Sequence, residues 1–367
     1  MKDKIQMVDL GVQHRALEKE IFKKWKELCD STSFILGDEV QKFEHEFAKF
    51  CGTRYAVGVS SGTSALHVAI EAVGCEGKDV VSTPFTFIAT SEAIVQAGGD
   101  IKWVDIHPDY YTLDGEKLEQ KVTKKTGVIL PVHIYGHPAP MDKIMELAET
   151  YDCRVIEDCA QSHGAKFNGQ TTGSIGDLGC FSFYPGKNMG AYGDAGCVVT
   201  NDKNLACKVR NLRAHGAPKK YYHTQLGFNY RLDALQAAVL RIKLKHLKKW
   251  NESRRKIAKL YTQALEDTPL KLPRTQKDVV HVYHQYSVLT DKRKALSKKL
   301  EKDGIATAMH YPIPLHLQPS FDFMELGKGS FPRAEKVAAR CLSLPMYPEL
   351  SEEKINYITD KIKEFYE

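Results

Sequence analysis

Among the lysines of this chain, Lys187 stands in unusual company. The segment Phe181-Ser182-Phe183-Tyr184-Pro185-Gly186-Lys187-Asn188-Met189-Gly190-Ala191-Tyr192-Gly193-Asp194-Ala195-Gly196 sets it among aromatic and glycine residues just past an apolar run. Lysines are ordinarily solvated. Desolvation by Phe181, Phe183 and Tyr184 would instead lower its pKa and leave a free amine able to form a Schiff base with a carbonyl. A second segment, Gly58-Val59-Ser60-Ser61-Gly62-Thr63-Ser64-Ala65-Leu66, reads as a strand passing through a tight turn into a helix, whose N–H groups and dipole would cradle an anion. Ser, Thr and Gly at a helix start are also ordinary capping chemistry. The same residues match G-x-S-x-G, a nucleophile elbow with Ser60 as nucleophile. A third segment, Val155-Ile156-Glu157-Asp158-Cys159-Ala160-Gln161-Ser162-His163-Gly164-Ala165, places acids at the C-terminal end of an apolar strand. Ligands gather at that edge in open α/β sheets, although an Asp there can equally cap the next helix.

A poised amine, a carboxylate for a pyridinium nitrogen and an anion cradle for a phosphate are together the three parts that pyridoxal 5′-phosphate (PLP) requires. A serine hydrolase on Ser60 would draw on Asp158 and His163 or His215, but it leaves the Lys187 segment without a role.

The elements that must position these residues are legible as alternation. Short β-rich runs at Tyr55–Val59, Asp79–Ser82, Ile101–Val104, Val128–His133, Arg154–Glu157, Cys180–Ser182 and Gly196–Thr200 are interleaved with helix-compatible stretches including Ser64–Ala72, Ile88–Ala97 and Met141–Tyr151. That order predicts an α/β large domain with a mostly parallel mixed sheet flanked by helices. From Arg231 to about Leu265 helical spacing continues without proline and predicts a helix joining two domains. Beyond Pro273 a strand at His281–Val288, a helix near Lys294–Asp303, a strand near Thr307–His310 and two terminal helices predict a smaller α+β C-terminal domain. The expected division is 1–245 and 246–367. The stretch Tyr311–Ser330, rich in Pro, His and Gly, reads as a functional or mobile loop.

At 367 residues the chain can bury a substantial core without disulfides. Its nine cysteines are an odd number with no C-x-x-C pair, which predicts reduced thiols, a cytoplasmic location and no metal site. No run of about 18 apolar residues occurs, so no membrane span is expected. The net charge of +6 is interleaved with acids and argues against nucleic acid as a partner. Clusters such as Lys243-Leu244-Lys245-His246-Leu247-Lys248-Lys249 read as a solvated helix face.

Taken in order, these motifs make the sequence resemble the DegT/DnrJ/EryC1/StrS family of nucleotide-sugar aminotransferases, which adopt the aspartate-aminotransferase-like (type I) PLP fold. The likeness spans nearly the whole chain, from Met7-Val8-Asp9-Leu10 and Phe34-Ile35-Leu36-Gly37 through Ser61–Leu66 and Thr83-Pro84-Phe85-Thr86-Phe87-Ile88-Ala89-Thr90. It continues in Pro131-Val132-His133-Ile134-Tyr135-Gly136, the Glu157-Asp158 and Lys187 segments, Gly227-Phe228-Asn229-Tyr230-Arg231-Leu232-Asp233 and His310-Tyr311-Pro312-Ile313-Pro314-Leu315-His316. The resemblance implies that Lys187 forms the internal aldimine and shuttles the proton, and that Asp158 keeps the pyridine nitrogen protonated. It further implies that Gln161 bonds the ring hydroxyl, that Phe87 stacks on the ring, and that Gly62, Thr63, Ser64 and Ser182 bind the phosphate. Asn229 is expected to reach the phosphate of a neighbouring subunit, making the active unit a homodimer with sites at the subunit interface. A histidine at the lysine position marks members that dehydrate instead; Lys187 argues against that branch.

Implied substrates are L-glutamate, which would convert PLP to pyridoxamine 5′-phosphate, and a nucleotide-linked ketosugar in a ping-pong scheme. The residues Lys220-Tyr221-Tyr222-His223, Arg231 and Tyr311–His316 look most like the branch acting at C3 of a 3-ketohexose, with a C4 aminotransferase as the alternative. Tyr184, Arg231, Tyr311 and His316 are the expected sugar-nucleotide contacts, Arg231 meeting phosphate oxygens bidentately. Loop packing for Tyr311 and His316, and an ion pair with Asp233 for Arg231, stay open. A non-catalytic regulator that binds PLP or a sugar nucleotide is the alternative of a different class.

Overall fold

Strands buried on both faces read as continuous apolar runs, and the computed structural model, which describes residues 4–367, joins seven of them into one sheet. Their order across the sheet is Tyr55–Val59, Gly196–Thr200, Leu178–Ser182, Arg154–Asp158, Thr126–Ile129, Asp79–Ser82 and Asp100–Trp103. Gly196–Thr200 runs antiparallel to both its neighbours; the remaining pairs are parallel. Because side chains alternate along a strand, consecutive residues feed different cores. Val57, Val80, Cys180 and Val198 pack with the helices Gly62–Val73 and Lys203–Leu212. Ala56, Phe181, Cys197 and Val199 pack on the opposite face with Phe43 and Phe47 of helix Gly37–Cys51 and with Ala237 and Leu240 of helix Ala234–Leu265.

That last helix is 32 residues long, and the expected boundary at 245/246 falls inside it. Its C-terminal half, through Ile257, Ala258, Tyr261 and Leu265, joins a separate core with Tyr286, Val288, Leu342 and Leu344 of a two-stranded antiparallel sheet (Tyr286–Leu289 with Cys341–Leu344) and with helices Arg293–Lys302 and Glu352–Tyr366. Ile5 adds to this core from the N-terminus.

Three expected strands are shorter than the sequence suggests. The run at Val128–His133 is a strand only over Thr126–Ile129; Pro131 has no N–H to give a ladder. The segment preceding Tyr286 spends its amides on the large unit instead, Val282 N–H on Gly136 O and His284 N–H on Tyr135 O. Thr307–His310 forms a single bridge, Ala308 with Ser343. The Tyr311–Ser330 loop holds two 3-10 turns, Leu315–Leu317 and Pro319–Met324. All nine cysteines are free, with only Cys29 and Cys207 exposed. Among the described residues no helix is long and apolar enough to cross a membrane.

Candidate active site

The parallel strands deliver their C-terminal ends to one edge, and the three chemical segments meet there. Strand Tyr55–Val59 leads into a turn whose Ser61 caps helix Gly62–Val73: Ser61 Oγ accepts the Ser64 amide at 3.0 Å, and Ser64 Oγ accepts the Ser61 amide at 2.8 Å. This reciprocal capping box corrects one expectation. Both the amide and the hydroxyl of Ser64 are committed to holding the turn, and the side chain is buried. The cradle is left to Gly62, Thr63 and Ser182. Gly62 is required for closeness: a Cβ there would lie 2.4 Å from Ser182 Cβ, so the helix start and the end of strand Leu178–Ser182 touch. The Gly62 and Thr63 amides precede the first intrahelical bond and point their partial positive charge into this corner.

Asp158 ends strand Arg154–Asp158 and is buried. Its Oδ1 accepts the Ala160 amide at 3.0 Å and its Oδ2 accepts the Thr90 hydroxyl at 2.8 Å. Burial raises its pKa, while those two bonds, Lys187 and His133 pull it back down. Neighbouring Glu157 points to the opposite side and has a different job. Its carboxylate accepts the amides of Gly173, Ile175 and Gly176 and contacts His133 Nε2 at 3.0 Å, fixing the loop that precedes the Lys187 strand. Glu157, His133 and Cys159 lie close enough to offer a metal three ligands. Glu157 is already saturated, and His133 Nδ1 accepts the Ala139 amide, so the cluster is a structural knot.

Lys187 sits in the turn after Ser182, its amide on Tyr184 O at 2.9 Å. Among the described residues its amine makes no hydrogen bond or ion pair. Burial lowers its pKa from 10.5 to about 8, against the opposing pull of Asp158. His163, pressed against Phe181 and Phe183, has both ring nitrogens buried without a partner and is pushed to about 3 by burial and by Lys187. Ser60 donates to Ser64 Oγ and meets no histidine, so the hydrolase constellation is not assembled.

Gln161 lies beside Asp158, accepting the Tyr135 amide at 2.5 Å and donating to Tyr311 Oη at 3.1 Å. The Tyr311 ring is 5.9 Å from that of Phe87. Phe87 is half exposed, which removes the core-packing reading and leaves its ring at the mouth of the site. Tyr184 is exposed on the lysine turn. Arg231 bridges Val59 through its backbone next to the anion turn and makes no ion pair with Asp233. Asn229 is exposed, and its backbone bridges Ala214. His316 is a correction. It is buried, its Nε2 is 3.0 Å from Glu335 Oε1 and its ring packs on Phe331, so it holds the loop together. Residues that sequence reasoning missed are Thr90 and Thr86 behind Asp158, and Asn188, which ties the lysine turn to Asn251, Val282 and His284.

These residues fit PLP. An unpartnered amine, a buried carboxylate with a lone pair to spare on each oxygen, and a corner that a Cβ would fill are the right donor set for a carbonyl, a ring nitrogen and a phosphate.

The model of the DegT/DnrJ/EryC1/StrS aminotransferase family matches residues 15–363. The chain is 45% identical to a pleiotropic regulatory protein of Geobacillus stearothermophilus, over 99% of this chain and 98% of that one. It is 44% identical to a UDP-N-acetyl-3-dehydro-alpha-D-glucosamine 3-aminotransferase of Acidithiobacillus ferrooxidans, over 98% and 97%. Among solved structures, DesV of S. venezuelae in complex with a ketimine intermediate superposes with a TM-score of 0.98 at 40% identity, covering 100% of this chain and 99% of DesV. NtdA from Bacillus subtilis with bound cofactor PMP superposes at 0.88 and 30%, covering 94% and 81%.

Proposed function

Because the chain belongs to the DegT/DnrJ/EryC1/StrS aminotransferase family, we propose that it carries an amino group from L-glutamate to C3 of a nucleotide-linked 3-ketohexose in the cytoplasm, as a homodimer. The chain is a PLP-dependent sugar aminotransferase with the type I fold. The observation that supports transamination by this chain is the amine of Lys187, without a hydrogen-bond partner among the described residues, lowered to about 8 and coupled to buried Asp158. PLP, when bound, supplies a carbonyl for the amine and an electron sink for the carbanion, and in its pyridoxamine form it stores the nitrogen between the two substrates.

The chain's own residues do the rest. Lys187 Nζ, lowered to about 8 and so neutral in about a quarter of molecules at pH 7.5, can both take a proton from carbon and return it. Asp158 holds a proton on the ring nitrogen. The Gly62 and Thr63 amides and Ser182 anchor the phosphate, and Phe87 covers a ring face. Tyr184, Arg231 and Tyr311 line the approach for the sugar nucleotide. Asn229, exposed and unspent in its own chain, is available to a partner subunit. The C3 preference is supported by the names of two relatives, the 3-aminotransferase of Acidithiobacillus ferrooxidans and a dTDP-3-amino-3,4,6-trideoxy-alpha-D-glucose transaminase of Streptomyces venezuelae, 41% identical over 99% of this chain.

Absorption spectra of the PLP-loaded protein, before and after glutamate, test the donor half. A visible band near roughly 400–430 nm that moves to the near-ultraviolet, and that is missing in Lys187→Ala, is the expected result. Transfer of 15N from glutamate to nucleotide-linked 3-keto and 4-keto sugars, read at the labelled carbon by NMR, tests the acceptor; label at C4 alone overturns the C3 assignment. The relative named as a regulatory protein favours one second reading, a regulator that binds without turnover. It predicts a cofactor spectrum indifferent to every amino donor.

A further inference from the structure

We propose that Thr90 and Thr86 form a hydroxyl relay that keeps Asp158 ionised and aimed, and so act as positioning residues for the cofactor's ring nitrogen. This rests on the reading that Asp158 meets that nitrogen. Thr90 Oγ1 donates to Asp158 Oδ2 at 2.8 Å, and Thr86 Oγ1 and Thr90 Oγ1 are 2.9 Å apart. Thr90 has one hydroxyl proton and spends it on the carboxylate, so Thr86 must be the donor in the outer bond. Two hydroxyls in series polarise one another and strengthen the bond that reaches the charge.

Thr86 and Thr90 are both buried, Thr90 in the first turn of helix Ala89–Gln96 and Thr86 in the bend that leads into it, and a buried hydroxyl needs a partner. The Ala160 amide fixes the other carboxylate oxygen, so the Asp158 plane is held from two sides. Around that carboxylate stand Lys187 from the turn after strand Leu178–Ser182, His133 from the loop after strand Thr126–Ile129, Tyr311 from the C-terminal loop, Cys159 just past strand Arg154–Asp158 and Cys180 within strand Leu178–Ser182. Lys187 and His133 favour the charge and burial opposes it. The relay and the Ala160 amide add the hydrogen bonds that favour the anion.

Thr90→Val is the direct test, because it removes the hydroxyl at nearly constant volume. A hydrogen bond to a charged group implies about a tenfold weaker PLP dissociation constant, and the acid limb of PLP binding should move up by about one pH unit. With the protein saturated in PLP, kcat should fall with little change in the KM for glutamate. Thr90→Ser should restore both the dissociation constant and the acid limb; Thr86→Val should shift them in the same direction by less. Asp158→Asn separates the two levels of the argument. If Asp158→Asn abolishes PLP binding or turnover while Thr90→Val leaves the acid limb in place, the relay is refuted and the role of Asp158 stands. If Asp158→Asn changes neither, the underlying reading fails. A Thr90→Val protein that loses PLP affinity with an unshifted acid limb and no rescue by serine is merely misfolded at the helix start, and this also overturns the proposal.

Discussion

The lowered pKa of Lys187 can be measured without substrate. The amine falls from 10.5 to about 8 because burial penalises its charge, and Asp158 opposes that fall. At pH 7.5 a lysine of pKa 10.5 is neutral in about one molecule in a thousand, whereas one of pKa 8 is neutral in about a quarter, an advantage of roughly 200-fold in reactive amine. Trace acetylation of the cofactor-free protein across a pH series, with each lysine followed by peptide mass spectrometry, gives a labelling midpoint for Lys187 against the other lysines as internal references. The midpoint is the readout, because a less basic amine is also a weaker nucleophile and the amplitude mixes the two effects. Asp158→Asn removes the opposing charge, so the midpoint should move further down. PLP should protect Lys187 and no other lysine. A Lys187 midpoint within about half a pH unit of the exposed lysines would refute desolvation as the source of the poised amine. An upward shift in Asp158→Asn would refute the charge coupling.

Two further predictions follow from packing and burial. Gly62→Ala places a methyl 2.4 Å from Ser182 Cβ, which forces the cradle apart; PLP affinity should fall by about tenfold or more, with about 1–3 kcal/mol of stability lost in urea unfolding. Unchanged affinity would move the phosphate elsewhere. Buried His137 and His163 are neutral when folded, pushed to about 4 and about 3, while unfolded they titrate near 6.5. The unfolded chain therefore binds protons first, so their contribution is intact above about pH 6.5 and is lost as pH falls toward 4. At pH 5 each should cost about 1–2 kcal/mol relative to pH 7.5. A urea midpoint that does not fall between those pH values would contradict the burial of these rings.

The sequence was most informative where one physical requirement dominated. Strands Tyr55–Val59, Asp79–Ser82 and Gly196–Thr200 stand where the sequence places them, because a strand covered on both faces reads as a short apolar run, as Val80-Val81 does between Asp79 and Ser82. Lys187 and Asp158 stand out in the sequence because each is an unusual residue type for its apolar surroundings. Legibility failed where tertiary contacts chose among local alternatives. Ser64 looked like a phosphate ligand, yet the capping box consumed it. His316 looked like a substrate contact in a polar loop until Glu335 and Phe331 closed over it. Thr90 carried a faint signal, two threonines four residues apart in an apolar stretch, but only the fold brings Asp158 to Thr90 across 68 positions of chain.

Lys243 shows the same limit most sharply. In the run Lys243–Lys249 every lysine reads as a solvated helix face, and Lys245, Lys248 and Lys249 are exposed, but Lys243 is buried and lowered to about 8. It belongs to a polar stripe, Gln236, Lys243, Asn251 and Arg254, whose spacings of 7, 8 and 3 return to one side of helix Ala234–Leu265. Gln236 accepts the Tyr192 amide at 2.8 Å and Lys243 donates to Gly190 O at 2.7 Å. Asn251 accepts from Asn188 at 2.9 Å and donates to His163 O at 2.7 Å, and Arg254 donates to Met346 O at 2.8 Å. Desolvating two cations and two amides is costly unless their partners are fixed. Here the partners are the Asn188 side chain and the Gly190 and Tyr192 backbone after Lys187, His163 O, and Met346 O in the segment leading into the last helix. One helix thus ties together the turn that holds Lys187 and the segment that leads into the last helix.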